Sequence, residues 1–366
     1  MIKLHWKKLL PAALGLLIVG TGIGLYAIST SLPAKEKTSV FDTSNSDQDN
    51  HTLLQQPMKR DGQIYLRLAN NQKTDFPTSI ACDYFADLVE ERTDGRIHII
   101  TYHSAMLGDE KSTVAQLRYG GIDMVRASIA LMAEYSPQLT ALEMPYLYRD
   151  SEHMWQVLDS DIGEYFLESM KESGLEGLCW YDAGARNFYT TQKQITKPED
   201  LKGLKIRVQQ SAFMIDLIST LGAIPVDLPY EAVWGQLRLG SIDGAENNFP
   251  SYMSTGHSSV APYMVLDAHT RIPEMIVVNR KVIEQLTPED QEIIRKAARD
   301  SSLLQRKLWN EEEEKNRKAF EEAGGIITHV ENKADFVKRV QPLYKIYAPK
   351  YGKLIDKIRQ VGLSEK

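Results

Sequence analysis

"LKGLKIRVQQS", residues 201–211, sets Leu204, Ile206 and Val208 in alternation with Lys205, Arg207 and Gln209. Period-two alternation is the pattern of a half-buried strand. "SAFMIDLISTLG" follows at once with helical spacing and stops at Gly222. A strand that feeds directly into a helix is the repeating unit of an α/β fold. It also leaves Arg207 near the strand's carboxyl end, outside which open α/β sheets place their ligands. Arg207 is therefore either a solvated edge residue or a cation that awaits an anion.

The same rhythm extends to both sides. "IYLRLAN" reads as a strand, "SIACDYFADLVEERT" as a helix that "DGR" ends, and "IHIITYH" as a strand. "EKSTVAQLRYG" is a helix closed by Gly120, and "GIDMVRAS" is a strand. This β-α-β-α-β order predicts a largely parallel sheet with right-handed crossovers. A second unit begins near Gly174: "LEGLCWYDAG" and "RNFYTTQ" are strand-like, and "KPEDLKGLKIRV" is a short helical turn before a strand. "AIPVDLP" is extended, "YEAVWGQLRLG" is a helix ending at Gly240, and "SIDGAEN" follows. "LRYGGIDMV" and "LRLGSIDGA" echo one another, too briefly to prove duplication. The run that opens at "TPEDQ" predicts one long helix, with Thr287, Pro288 and Glu289 at its start and a solvated charged face.

The 366 residues suffice for roughly two domains of about 150 residues each. A net charge of −6 argues against a nucleic-acid or membrane-surface footprint. Cys82 and Cys179 form no CxxC pair and read as buried free thiols, not as a disulfide or a metal site. Lys3, Lys7 and Lys8 precede an apolar run from about Leu9 to Ile28, the layout of a secretory signal. The run is long enough to be an uncleaved anchor instead, so either a leader or a membrane tether is expected over residues 1–33. No cysteine follows it before Cys82, so a lipid anchor is not expected. In either case the remainder is exported. Residues 34–62 are polar, lack periodicity and read as a flexible linker.

Signatures of catalysis are missing: there is no GxSxG, HExxH, P-loop or GxGxxG. His103, His257 and His269 have no partner at nucleophile or metal spacing and read as surface or hydrogen-bonded histidines. No catalytic residue, metal or cofactor is assigned. What stands out is polar residues near strand ends: Arg186 in "AGARNFYT", Arg207, Asn247 at the end of "SIDGAEN", and Asn71 at the end of "YLRLANN". Arginine offers a planar fork that matches a carboxylate in bidentate fashion. Asparagine donates and accepts, which suits carboxylate oxygens and hydroxyls. Two arginines together in one lobe strengthen the reading of an anion site, since neighbouring cations disfavour one another.

"TKPEDLKGLKIRV" followed by "QS", and then "LGAIPVDLPYEAVWGQLRLGSIDGAEN", resembles the solute-binding subunit of tripartite ATP-independent periplasmic (TRAP) transporters, the DctP type. "LRLANNQ", "LVEERTDGRI", "LGDEKSTVAQLRYGGIDM" and "MPYLYRD" fit in the same order, so the resemblance spans about Ile64 to Ser301. It implies a two-lobed periplasmic-binding-protein-like α/β fold, with hinge strands and a long helix bracing both lobes. The expected lobes are 63–184 with 274–312, and 185–273 with 313–366. The implied role is capture of a small organic acid for delivery to the TRAP membrane permease subunits.

By the resemblance, Arg207 is the hallmark arginine that grips the substrate carboxylate, and Arg186 is a second basic residue of the site. Asn247 and Asn71 match the family's asparagines. Glu110 falls where some members bind substrate hydroxyls. Two positions depart from the pattern: Gln209 stands where proline is usual, which would loosen the loop after Arg207, and Asn248 replaces the proline after Asn247. "AENNFPSYMSTGH" resembles a subset associated with sugar acids, in which Arg126 of "DMVRAS" would face the cleft; the bland alternative is an ion pair with Asp123 or Glu110. Aromatic packing is expected from Trp234, Tyr230 or Phe188, with core packing as the alternative for Trp234. Sugar acids such as uronates or aldonates are favoured over C4-dicarboxylates, which would need a second cation from Arg126 or Arg186. An exported sensory or enzymatic protein acting on a carboxylate is the remaining alternative.

Overall fold

The structure is a computed structural model that describes residues 57–330 and 332–363. The leader or anchor expected over 1–33, and all but the last residues of the expected linker, lie outside the described residues. Among the described residues no helix is long and apolar enough to cross a membrane.

The tail of the expected linker is a strand. β1 (Met58–Arg60) turns through Asp61 and Gly62, both at positive φ, and pairs antiparallel with β2 (Gln63–Ala69). Three residues are too few to show periodicity, so pairing with β2 decides their state rather than their own pattern. The chain then runs α1 (Pro77–Arg92), β3 (Ile97–Tyr102), α2 (Glu110–Tyr119) and β4 (Met124–Ser128). Asp109 caps α2 by accepting from Ser112 N at 2.8 Å, and Gly120, at φ 81°, ends it. α3 (Ile129–Met132), a 3₁₀ turn (Pro137–Glu143), α4 (Ser151–Leu158) and α5 (Asp161–Ser169) lead to β5 (Leu175–Tyr181).

After Asp182–Gly184 the chain enters a second sheet. This holds β6 (Ala185–Thr190), β7 (Lys205–Val208), α6 (Ala212–Leu221), β8 (Ile224–Asp227), α7 (Val233–Leu239), β9 (Gly244–Asn247), α8 (Phe249–Ser254), β10 (Tyr263–Leu266) and β11 (Thr270–Arg271). From β11 the chain returns to the first sheet as β12 (Glu274–Asn279). α9 (Arg280–Ile283), α10 (Pro288–Glu322), β13 (Ile326–His329) and α11 (Lys333–Gln360) complete it. The two echoed phrases do occupy equivalent places. α2 and α7 each end on a left-handed glycine, and Ile122 and Ile242 are buried before β4 and β9.

The first sheet has the order β1-β2-β4-β12-β5, with β3 also on β2; the second runs β13-β10-β6-β9-β7-β8, with β11 also on β6. The expectation of largely parallel sheets is corrected here. β2 is parallel to β3 and β4, and β7 to β8 and β9, but β12 runs antiparallel to β4 and β5, and β6 antiparallel to β9, β10 and β11. The cause is topological. β5–β6 carries the chain out of the first lobe and β11–β12 carries it back, so the two crossings pass in opposite directions.

α10 braces both lobes. Ile294, Ala297 and Ala298 pack with Leu66, Phe85 and Ile276 under the first sheet, while Phe320 joins Tyr189, Phe249 and Tyr252 in the second lobe. Between them Gln305 is pinned to the crossing, accepting from Asp182 N at 2.7 Å and donating to Asp182 O at 2.9 Å. Cys82 and Cys179 are buried free thiols in the core under the first sheet, as expected.

Candidate functional site

The carboxyl ends of the parallel strands of both lobes converge on one cleft. β7 sends Ile206 and Val208 into the core and Arg207 to the opposite face. β4 does likewise: Val125 and Ala127 pack inward, and Arg126 points to the cleft. Arg207, Arg186, Asn247, Asn71, Glu110 and Arg126 all line one chamber, whose envelope is about 530 Å³ with its open mouth included.

The three arginines differ in what already satisfies them. Arg126 is buried and donates from Nε to Asn70 Oδ1 at 3.0 Å, from Nη1 to Glu274 at 2.8 Å and to Glu110 at 3.2 Å, and from Nη2 to Asn71 Oδ1. Both readings of Arg126 therefore hold together: it lines the cleft and it pairs with Glu110, while Asp123 pairs with Arg67 instead, at 2.9 Å. Arg186 grips Glu246 with Nε and, at 2.9 Å, with Nη2. Arg207, 4% exposed, donates Nε and Nη2 to a single carbonyl, Leu228 O, at 2.9 and 2.7 Å. Among the described residues it has no carboxylate partner, and its Nη1 has no hydrogen bond.

Protonation follows these contacts. Burial lowers the Arg207 pKa, and the neighbouring Arg186 adds to this against the opposing pull of Glu246. An arginine stays charged regardless. Burial would raise the Glu246 carboxyl, but Arg186 and His269 outweigh it and hold it down at about 2. Burial would lower His269, yet Asp267 at 2.9 Å and Glu246 bring it up to about 9. Burial pushes Glu274 up to about 7 against the pull of Arg126. Buried ionic pairs of this kind hold one geometry because separating them strands a charge.

Trp234 does not join the other predicted residues. It lines an adjoining chamber nearer the surface, with Nε1 donating to Ser259 Oγ at 3.5 Å and Arg238 over its ring at 5.2 Å. One helical step decides this: Val233 and Leu237 face the core and turn Trp234 away. Phe188 is also not in the chamber; it is fully buried against His269, rings 4.3 Å apart. The three histidines are hydrogen-bonded: His103 to Asn70 and Asp83, His257 to Tyr189 and His269 to Asp267.

Sequence reading missed Glu274, Glu246, Gln72 and Ser251. Glu274 and Ser251 line the chamber with Gln72, and Glu246 holds Arg186 beneath it. The carboxylates had a legible signal, since "IPEMIV" and "GAEN" each place one acid inside a strand where burial demands a cation. Gln209 lines the chamber with its Oε1 buried and unpartnered. Asn248 caps α8 by accepting from Ser251 N at 2.8 Å and donates to Ala183 O at 2.9 Å, which ties that helix to the crossing.

Two α/β lobes joined by crossing strands, with a buried arginine in the cleft between them that no carboxylate pairs among the described residues, define a two-lobed binding protein for an anionic small molecule. The chain belongs to the bacterial extracellular solute-binding proteins, family 7 (DctP), which match residues 68–350. It is 34% identical over 279 residues to a solute-binding protein of Chromohalobacter salexigens, covering 76% of this chain and 83% of that one. It is 31% identical over 256 residues to the 2,3-diketo-L-gulonate-binding periplasmic protein of Escherichia coli, covering 70% and 78%. Among solved structures, a TRAP periplasmic solute-binding protein from Bradyrhizobium in complex with D-galacturonate superposes with a TM-score of 0.79 at 39% identity, covering 81% of this chain and 99% of that one.

Proposed function

We propose that this protein captures a sugar acid, a hexuronate or an aldonate, in the periplasm and hands it to the membrane permease of a TRAP transporter. Arg207 carries the reading. A buried guanidinium with one carbonyl for company carries a desolvation cost of several kcal/mol that an incoming carboxylate offsets. The lobes, taken as 63–184 with 274–312 and 185–273 with 313–366, close over the ligand.

Charge matching favours one carboxylate over two. Arg126 is matched by Glu110 and Glu274, and Arg186 by Glu246, so neither of these buried arginines offers a C4-dicarboxylate its second cation, and the remaining lining cation, Lys111, is exposed to solvent. Hydroxyls suit what remains: Asn71, Asn247, Glu110 and the unpartnered acceptors Gln209 Oε1 and Glu274 Oε2. They have to contribute, because a charge-assisted hydrogen bond gives about 1.5–3 kcal/mol and micromolar affinity needs about 8 kcal/mol. The galacturonate in the Bradyrhizobium structure supports the same class. On this reading the protein holds its ligand without turning it over, and chromatography recovers the ligand unchanged.

A thermal-shift screen of hexuronates, aldonates and C4-dicarboxylates tests the proposal. A true ligand at a hundredfold excess over its Kd adds about 2.7 kcal/mol. Stabilisation by a uronate or aldonate and not by succinate is expected; stabilisation by succinate alone overturns the proposal.

A further inference from the structure

Beyond the inner chamber the cleft continues. The adjoining chamber has an envelope of about 640 Å³, open mouth included, and shares Asn71, Gln72 and Tyr230 with the inner one. Both lobes build it. Its first wall is the segment after β2, which reaches across to the second lobe: Asn71 Nδ2 donates to Glu231 at 3.3 Å, Tyr230 Oη to Gln72 at 3.3 Å, and Lys73 Nζ to the Ser254 carbonyl at 2.5 Å. Trp234 lines the second wall.

His257 lines it too and is 1% exposed. Its Nδ1 is spent on Tyr189 Oη at 2.8 Å, while its Nε2 has no hydrogen-bond partner among the described residues. An imidazole nitrogen with no protein partner at a chamber wall is available to a hydroxyl there. Burial, with Arg207 nearby, drives His257 down to about 3, so the ring is neutral and suited to a hydroxyl rather than to an anion. Tyr230 stands between the chambers, its ring 6.4 Å from that of His257.

An aromatic wall, a neutral imidazole nitrogen and hydroxyl-bearing Ser254 and Thr255 match the two kinds of surface of a pyranose ring, apolar C–H faces and hydroxyl edges. The inner chamber holds the buried Arg207, whose one partner is a carbonyl, whereas the cation of the outer one, Lys73, is exposed and donates to the Ser254 carbonyl. We infer that the outer chamber is a second sugar subsite, so that the protein takes a uronic acid bearing a further glycosyl unit, with the acid group at Arg207 and the second ring beside Trp234 and His257. This rests on the sugar-acid reading of the inner chamber.

Calorimetric titration with galacturonate and with galacturonosyl-α-1,2-rhamnose, a disaccharide whose second ring carries no carboxylate, tests it, on the wild type and on Trp234→Ala and His257→Gln. The wild type is expected to bind both. Trp234→Ala is expected to lower the affinity for the disaccharide relative to that for galacturonate by about tenfold, equivalent to 1.4 kcal/mol. His257→Gln, which keeps a neutral polar group, is expected to preserve that ratio to within about threefold. Binding of galacturonate without the disaccharide, or an equal loss of both in Trp234→Ala, overturns the subsite and leaves the inner-site reading standing. Failure of both ligands in the wild type counts against the inner-site reading itself.

Discussion

At position 207 a strand residue with an apolar neighbour on each side carries a charge that no carboxylate within 4 Å balances among the described residues. Removing it leaves a bound carboxylate buried without its fork, which costs about 2–5 kcal/mol. Calorimetry on Arg207→Ala is expected to show affinity for the hexuronate reduced by roughly thirtyfold to several thousandfold. Arg207→Lys is expected to bind poorly too, since a point charge cannot reproduce two parallel donors. A second expectation concerns His269. Its pKa is raised from 6.5 to about 9 in the folded protein, so its stabilisation is complete below pH 6.5 and is lost as pH rises through 9. The melting temperature should fall between those pH values, and the fall should flatten in His269→Gln. Arg207, Arg186, Asn247 and Asn71 were legible as cleft candidates from strand-end position and polarity, whereas Glu110 and Arg126 were implied only by the family resemblance; all six line the chamber. What was not legible is which arginine is free: that depends on Glu246 and Glu274, each far in sequence from its cation and brought to it only by strand pairing.

The elements themselves were readable wherever a period and a stop signal coincide. α2, α6 and α10 begin at capping side chains, and α2, α6 and α7 end on left-handed glycines. Strand direction was not readable, because it depends on how the chain crosses between lobes and not on any local pattern. Gly244 illustrates a tertiary constraint within a legible strand. A Cβ there would lie 2.4 Å from Tyr189 O and 3.0 Å from Ile206 Cδ1, between β6 and β7. Gly244→Ala should therefore destabilise the second lobe by about 1–3 kcal/mol, the cost of forcing atoms into a filled core. Urea unfolding followed by circular dichroism measures it, and an unchanged midpoint would mean that the strands part freely.

For the whole molecule the decisive feature is that the two walls of the cleft touch. Residues 71–73 of one lobe bond Glu231, Tyr230 and Ser254 of the other. Contacts of this kind form only when the lobes are shut, so they hold a ligand in rather than draw it in. Lys73→Ala removes one hydrogen bond, worth about 0.5–1.5 kcal/mol. In stopped-flow measurements it should speed ligand release severalfold and leave the association rate nearly unchanged. Closure also explains why charge matching matters: once water is excluded, each unmatched charge weighs more than it would in solvent. A crystal structure of the complex with galacturonate tests the central claim most directly. The carboxylate is expected within about 2.7–2.9 Å of the Arg207 guanidinium, the range of a charge-assisted hydrogen bond. A carboxylate bound to Arg126 or Arg186 instead, with Arg207 still held only by the Leu228 carbonyl, would contradict it.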